Sequence, residues 1–577
     1  MSAHETASQS PSAGPPAAAA GRDWFLVGLL LVIFCVGLYG IHWGRVECWN
    51  TDNMALRAPP LSMAQDYYMQ KPPLHSYTNF LLVRVPLILL QKTQHFSDAA
   101  QLAIELIASR VLVLIMYLAA LLLFYRIVRE THGLFPARAL TAVFGSGAGM
   151  FVEAPFLTAD IPLLFWMLLS FHFAWRILCQ QRLRNYLLAG LFAGLATACK
   201  YNGLAIALAI PLAHLLATGY SSARAWGNAL TDPRVYAGAL MVPLAFVLGN
   251  PYAVLNHRKF IADFLYNYQV VSIYDGRVEG HSYLAYFERF ADLIGLPGLL
   301  FVLAAVLASF FLRRGAASDR LASDTRWLAL GVFLFYYLKF ASLPLLPARF
   351  VMPSLPLFMI LGAPALAAWP QRLTTWLLLP VVAYNLLCSL QVGQRLVDDP
   401  RMAAQEWVVA NVTGGRSIES HIFVPHWSRL PGADLREIRL PYVSGRNRMF
   451  APLLPPDSFS SKNLDRYERD GDHLDWYTRE ALLTRCPDFV AINRSYYGVF
   501  FRAPGDTLYP EMRRYFDDLL QGRLPYRVVF HAVTPAVPAW AYPRDVFWLD
   551  NDLTILQRDD RLLEGPELAA YCAGVPR

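Results

Sequence analysis

Charge is scarce in this chain of 577 residues: only 16% are Asp, Glu, Lys or Arg, against 55% hydrophobic, and the mean hydropathy is +0.33. That balance excludes an ordinary soluble globular protein and reads as a polytopic membrane protein. Paired cysteine motifs are missing too. The seven cysteines, at 35, 48, 179, 199, 388, 486 and 572, form no CxxC pair and no zinc spacing, which excludes a metal knuckle and a thioredoxin-like centre. There is no Rossmann GxGxxG and no GK[ST], so no nucleotide cofactor is implied. The glycine run "GSGAG" at 145–149 lies inside an apolar stretch and reads as a site of close helix packing. The net charge of +7 is spread over loop arginines that set topology, which argues against nucleic acid as a partner.

What is present is a series of apolar runs. Residues 1–22 are small, polar and proline-containing, and are expected to form a disordered cytoplasmic tail. The run "WFLVGLLLVIFCVGLYGIHW" then ends in bulky residues and lacks a small-residue cleavage site, as a retained anchor does. Further runs of helical length lie near 104–125, 138–156, 159–178, 186–199, 202–217, 235–254, 292–312, 327–343, 350–369 and 373–391, giving about eleven transmembrane helices. The stretch 186–217 is split in two because Lys200, Tyr201, Asn202 and Gly203 interrupt it.

Arginines fix the sides. Arg126, Arg129, Arg138, Arg176, Arg182, Arg184, Arg224, Arg234, Arg313, Arg314, Arg320, Arg326 and Arg372 all fall in even-to-odd loops, which makes those loops cytoplasmic. The N-terminus is then inside, and the loops 42–103 and 255–291 and the tail are outside. The membrane part is expected over 23–392 and a soluble extracytoplasmic domain over 393–577. In that domain "PRMAAQEWVVANV" has helical spacing, while "SIESHIFVPHW", "PDFVAIN" and "YRVVFHAV" read as short strands of a mixed α/β fold. Cys486 and Cys572 are candidates for a disulfide there. The sequons at Asn411 and Asn493 matter only in a eukaryotic secretory pathway.

An ionisable group in or beside a span costs about 2.5–3.5 kcal/mol on insertion scales, so each is a functional candidate. Asp52, Asp66, Lys71, His75, Arg84, Glu153, Asp160, Lys200, Lys339 and Arg349 all fall at outer ends on the derived topology and are expected to face one external cavity. Each has a plainer reading beside this one. Asp52 as a helix cap, Lys71 and Arg349 as cations reaching the interface, and Lys200 as the structural partner of a carboxylate such as Asp160 are the main alternatives. A carboxylate beside several cations suits group transfer from a phosphate: the acid takes a proton from an acceptor hydroxyl, and the cations stabilise the charge that develops.

These residues resemble the GT-C membrane glycosyltransferases, specifically the family 39 branch of protein O-mannosyltransferases and the bacterial aminoarabinose transferase of lipid A. The resemblance rests on "NTDNMALRA" followed by "QKPPLHSYTNFLL", on "TADIPLLFWMLL", on "GLFAGLATACKYNGLAIALAIP", on "NPYAVLN" and on "LPARFVMPSLPL", across about 24–392. It implies an inverting transfer from a polyprenyl-phosphate-linked sugar donor to an acceptor glycolipid, polysaccharide or protein, in a bacterial inner membrane. By motif position Asp52 corresponds to the catalytic base, and Lys71, Lys200 and Arg349 to the groups around the carrier phosphate. Asp66, His75, Glu153, Asp160 and His281 would support them. A divalent metal is implied only weakly, with Asp66, Asp160 and His281 as candidates, because Asn53 and Gln70 stand where relatives carry carboxylates. Two other readings of the same residues are a lipid or sugar transporter and a family member without catalytic activity.

Overall fold

In the computed structural model, residues 23–44, 49, 71–219, 227, 229, 231–273, 283–312, 320–343, 346–441, 443, 473–503, 505–536, 549 and 551–563 are described. Among them six helical segments are long and apolar enough to cross a membrane: Ala100–His132, Asp160–Cys179, Tyr201–Thr218, Tyr283–Phe311, Ala348–Ala368 and Gln371–Asn411. Shorter apolar helices occupy Trp24–Leu38, Leu183–Cys199 and Pro233–Gly249.

The first helix, α1 (Trp24–Leu38), is capped by Asp23, whose carboxylate also receives two hydrogen bonds from Arg138. Further along, α2 (Leu74–Asn79) passes through a π-helical turn at Phe80–Arg84 into α3 (Val85–Gln91). Pro86 has no N–H to donate, which accounts for the widened turn just before it. His75, Ser76, Asn79, Val83 and Leu87 are buried along this segment, while Leu81, Leu82, Leu89 and Leu90 are exposed. That is the amphipathic pattern of a helix lying along an interface.

The bundle continues with α4 (Asp98–His132), α5 (Leu134–Ser146), α6 (Ala148–Phe156), α7 (Asp160–Cys179) and α8 (Leu183–Cys199). A 3₁₀ segment (Tyr201–Leu208) leads into α9 (Ala209–Thr218), and α10 (Pro233–Gly249), α11 (His257–Ile273), α12 (Tyr283–Phe311), α13 (Arg320–Phe340), α14 (Leu355–Ala368) and α15 (Gln371–Val397) complete it. The break at Lys200 divides 186–217 as the interrupting residues suggest. Small residues set the packing. A Cβ on Gly190 would meet the Gly238 carbonyl oxygen at 2.0 Å, and one on Gly194 the Val242 carbonyl oxygen at 2.3 Å, so α8 and α10 touch backbone to backbone. The run 145–149 does the same: Cβ atoms on Gly147 and Gly149 would meet the carbonyl oxygens of Leu293 and Asp292 at 2.3 and 2.4 Å. There α12 kinks at Gly295, whose φ of +73° only glycine tolerates easily, just ahead of Pro297.

The C-terminal domain begins at α16 (Pro400–Asn411) and holds a five-stranded sheet of β1 (Arg416–Ser420), β2 (Leu435–Arg439), β3 (Phe489–Asn493), β4 (Tyr526–Val533) and β5 (Asp552–Arg558) in the order β2-β1-β3-β5-β4. β1 runs parallel to β2 and β3, and β5 antiparallel to β3 and β4. The sheet is covered on both faces, as the alternation of β3 requires. Phe489 and Ala491 pack with Ala404 and Val408 of α16, whereas Val490 and Ile492 pack with Met512, Phe516 and Leu519 of α17 (Pro510–Leu520). Of the three stretches read as strands, "SIESHIFVPHW" is a strand only in its first part, because the chain turns at Phe423 (φ +64°) and enters a 3₁₀ turn at Trp427–Arg429. β2 and β5 were not anticipated. Asn493 is fully buried, its side-chain nitrogen donating to Phe423 O and Asn551 Oδ1, so its sequon is closed to modification in the folded domain. Cys486 is disulfide-bonded; its expected partner, Cys572, lies outside the described residues.

At the end of β1 the domain buries two ionisable groups. Glu419 accepts hydrogen bonds from Arg485 at 2.6 and 3.1 Å and from the Tyr515 hydroxyl at 3.1 Å, and burial raises its carboxyl pKa. His421, enclosed by the rings of Tyr477, Tyr496, Tyr515 and Phe516, has no hydrogen-bond partner on either nitrogen. Burial, then the charges of Arg485 and Arg439, push it down to about 3. A free imidazole protonates near about 6.5, so the stability His421 contributes is complete above that pH and is lost as the pH falls toward the folded value. Glu419 has the opposite sign: its raised folded-state pKa means acidification relieves a penalty. We expect the wild-type domain to lose stability between about pH 7 and pH 5, and His421→Phe to flatten that slope, in hydrogen exchange of β1 and β3 within the full chain. Equal slopes in the two proteins would refute the buried neutral imidazole.

Candidate active site

The end of the bundle that carries the sequence motifs is built from chain breaks. α6 stops at Phe156 behind Pro155, and Leu157, fully buried, takes up a φ of +55° before α7 starts at Asp160. A left-handed leucine costs about 1–3 kcal/mol and persists only where its surroundings enforce it. The turn holds Glu153 and Asp160 together: the Thr158 hydroxyl donates to Glu153 Oε2, and Asp160 is the first residue of α7, where the helix dipole favours a carboxylate.

On the facing side α8 ends at Cys199 and Lys200 is fully extended, with φ −158° and ψ 135°. Its Nζ lies 2.6 Å from Asp160 Oδ1 and 4.5 Å from the centre of the Phe350 ring. Asp160 is 2% exposed and Glu153 8%. A cation is needed beside these two buried carboxylates, and Lys200 and Arg349 both act on Glu153 electrostatically. Arg349 comes from the short helical turn Ala348–Val351, next to Phe350.

His75, in the first turn of α2, is 1% exposed and neither ring nitrogen has a hydrogen-bond partner. Burial pushes its pKa down to about 4, against the pull of Asp160. It is therefore a neutral imidazole with a donor and an acceptor unused. Lys71 is half-buried and precedes Pro72 and Pro73, both buried, which lead into α2. The structure thus brings together His75, Glu153, Asp160, Lys200 and Arg349. Arg84 instead pairs with Glu105 at 3.9 Å. Asp52, Asp66 and His281 lie outside the described residues.

Residues 102–260 match the family model for dolichyl-phosphate-mannose-protein mannosyltransferase. No curated protein matches the sequence. Among solved structures, ArnT from Cupriavidus metallidurans bound to undecaprenyl phosphate is similar over 93% of this chain and 98% of its own, with 13% identity and a TM-score of 0.50. The chain has the GT-C fold. An archaeal oligosaccharyltransferase, AglB from Archaeoglobus fulgidus in complex with an inhibitory peptide and a dolichol-phosphate, is similar over 90% of this chain and 80% of its own, with 11% identity and a TM-score of 0.47.

Within this GT-C fold Lys200, half-buried, pairs at 2.6 Å with the buried carboxylate of Asp160. That pairing bears on the metal candidates. Asp160 places one carboxylate oxygen, Oδ1, against the Lys200 ammonium, so a divalent cation on that oxygen would face a positive charge at contact distance. Among the described residues no group of three or more His, Cys, Asp or Glu is placed to hold a metal ion.

Several residues escaped the sequence reading. Thr158 and Phe350, which touch Glu153 and Lys200, flank motif residues and carry no charge to mark them. Arg110 did carry a signal, since an arginine within the apolar run of α4 must be satisfied internally. It is fully buried, donating to Ile41 O at 2.7 Å and Pro155 O at 3.0 Å, and so ties the chain just after α1 to the end of α6.

Proposed function

We propose that the protein is a membrane glycosyltransferase that moves a monosaccharide from a polyprenyl-phosphate-linked donor to an extracytoplasmic acceptor with inversion of the anomeric centre. The observation that carries this reading is the group of buried Asp160, Glu153 and His75 with half-buried Lys200 and Arg349 beside them, at one end of a GT-C fold. In this reading the Asp52 carboxylate takes the proton of an acceptor hydroxyl as that oxygen attacks the anomeric carbon. The bond from that carbon to the phosphate oxygen breaks, and the carrier phosphate leaves with an additional negative charge. Lys71, Lys200 and Arg349 stabilise that charge in a site with little water, where it matters most. Asp160 and Glu153 hold the cations in place and keep the empty site electrically balanced. No step requires a metal.

A donor anchored in the bilayer accounts for the lack of a nucleotide-binding motif. In this reading the membrane is the bacterial inner membrane, the C-terminal domain faces outward, and the acceptor is a glycolipid, an envelope polysaccharide or a protein. The test is transfer of radiolabelled sugar from purified polyprenyl-phosphate donors to extracted lipids, polymers and proteins. Label in one of these fractions identifies the acceptor class. No transfer from any donor by folded protein would overturn the reading.

A further inference from the structure

The segment leading to Asp52 is gripped by the C-terminal domain. Asp399, between α15 and α16, is fully buried in its side chain and is a node of hydrogen bonds. Its Oδ2 accepts from Trp43 Nε1 at 2.8 Å, from an Arg401 guanidinium nitrogen at 2.6 Å and from Asn551 Nδ2 at 3.3 Å; its Oδ1 accepts from Arg401 Nε and the Arg401 backbone N–H at 2.9 Å each. Arg401 in turn lies over the ring of Trp49 at 4.4 Å and that of Trp43 at 5.2 Å, and the two tryptophans meet edge to face at 5.6 Å. Trp43 also packs against Phe156, at the end of α6, and beneath Arg110. Asn551 continues the chain of bonds to Asn493 at the end of β3.

Trp49 is three residues from Asp52, and Phe156 three residues from Glu153. One buried cluster therefore joins the sheet of the soluble domain to Trp43, Trp49 and the end of α6 at Phe156. We propose that Asp399 and Arg401 are positioning residues that fix Trp43 and Trp49, the stem that leads to Asp52, for catalysis, so that the C-terminal domain is a working part of the transfer site. A buried charge pair was not needed merely to attach a domain; an apolar contact does that at no desolvation cost. What the bidentate pair and the two indoles packed against Arg401 supply is a single orientation of the loop stem.

The inference rests on the reading of Asp52 as the base, and its test separates the two. Asp399→Asn, Trp49→Leu, Arg401→Met and Arg401→Lys are compared in the full-length protein, with Asp52→Asn in parallel. Asp399→Asn and Trp49→Leu should lower kcat about 10- to 100-fold with the donor KM changed little, since misplacement and not binding is at issue. Arg401→Lys should retain less stacking than wild type but more activity than Arg401→Met. Hydrogen exchange in peptides covering 41–49 should rise in each impaired variant while the sheet stays protected. Unchanged exchange at 41–49 in Asp399→Asn, or a loss of kcat that only follows loss of folded protein, overturns the clamp whatever Asp52→Asn does. Transfer retained by Asp52→Asn overturns the base assignment and leaves the exchange result to decide the clamp.

Discussion

Asp52→Asn should abolish measurable sugar transfer, by about 100- to 10,000-fold in kcat, while the protein folds and inserts as wild type does. The amide is isosteric and cannot accept the acceptor's proton, so the loss falls on the chemical step. Binding of the donor should be nearly intact, because in the proposed mechanism the carrier phosphate is held by cations elsewhere. Transfer kinetics and a donor-binding measurement on the same preparation give the answer. If the variant turns over at more than a tenth of the wild-type rate, the base is another group, and His75 and Glu153 are next to be tried.

Lys200→Met should be damaging twice over. Asp160 is nearly fully buried, and loss of its 2.6 Å partner leaves a carboxylate without its cation beside Glu153. Breaking a buried pair from one side costs about 3–5 kcal/mol, so thermal stability and yield in detergent should fall clearly. Transfer should fall as well, since a cation near the leaving phosphate is gone. The double variant Asp160→Asn with Lys200→Met separates the effects: it removes the stranded charge and should recover most of the stability without recovering transfer. If the double variant recovers both, Lys200 is a structural counter-ion alone. Lys200→Arg, which keeps the charge, should retain the fold and part of the activity.

The sequence carried the membrane architecture well because its signal is local. Apolar runs of bilayer length, interrupted by loop arginines, report helices directly, and even the split at Lys200–Gly203 was visible as a break in one run. The same holds for the candidate charges, because an ionisable residue at the end of an apolar run stands out whatever surrounds it. The C-terminal domain was less legible. β2, "LREIR", and β5, "DLTILQR", are short strands whose burial depends on neighbours far along the chain, and a five-residue strand has too few residues for alternation to declare itself.

By itself, then, the sequence determined that this chain spans a membrane many times, that a separate domain follows, and which ionisable residues deserve attention, since hydropathy and charge are properties of each segment alone. Only the tertiary structure decided which of those charges meet. Lys200 reaches Asp160 across forty residues, Trp43 reaches Asp399 across 356, and Arg84 turns away to Glu105. Such pairings are set by how helices and domains pack against one another, and a burial that costs a charge its water is balanced by a partner that no local pattern names.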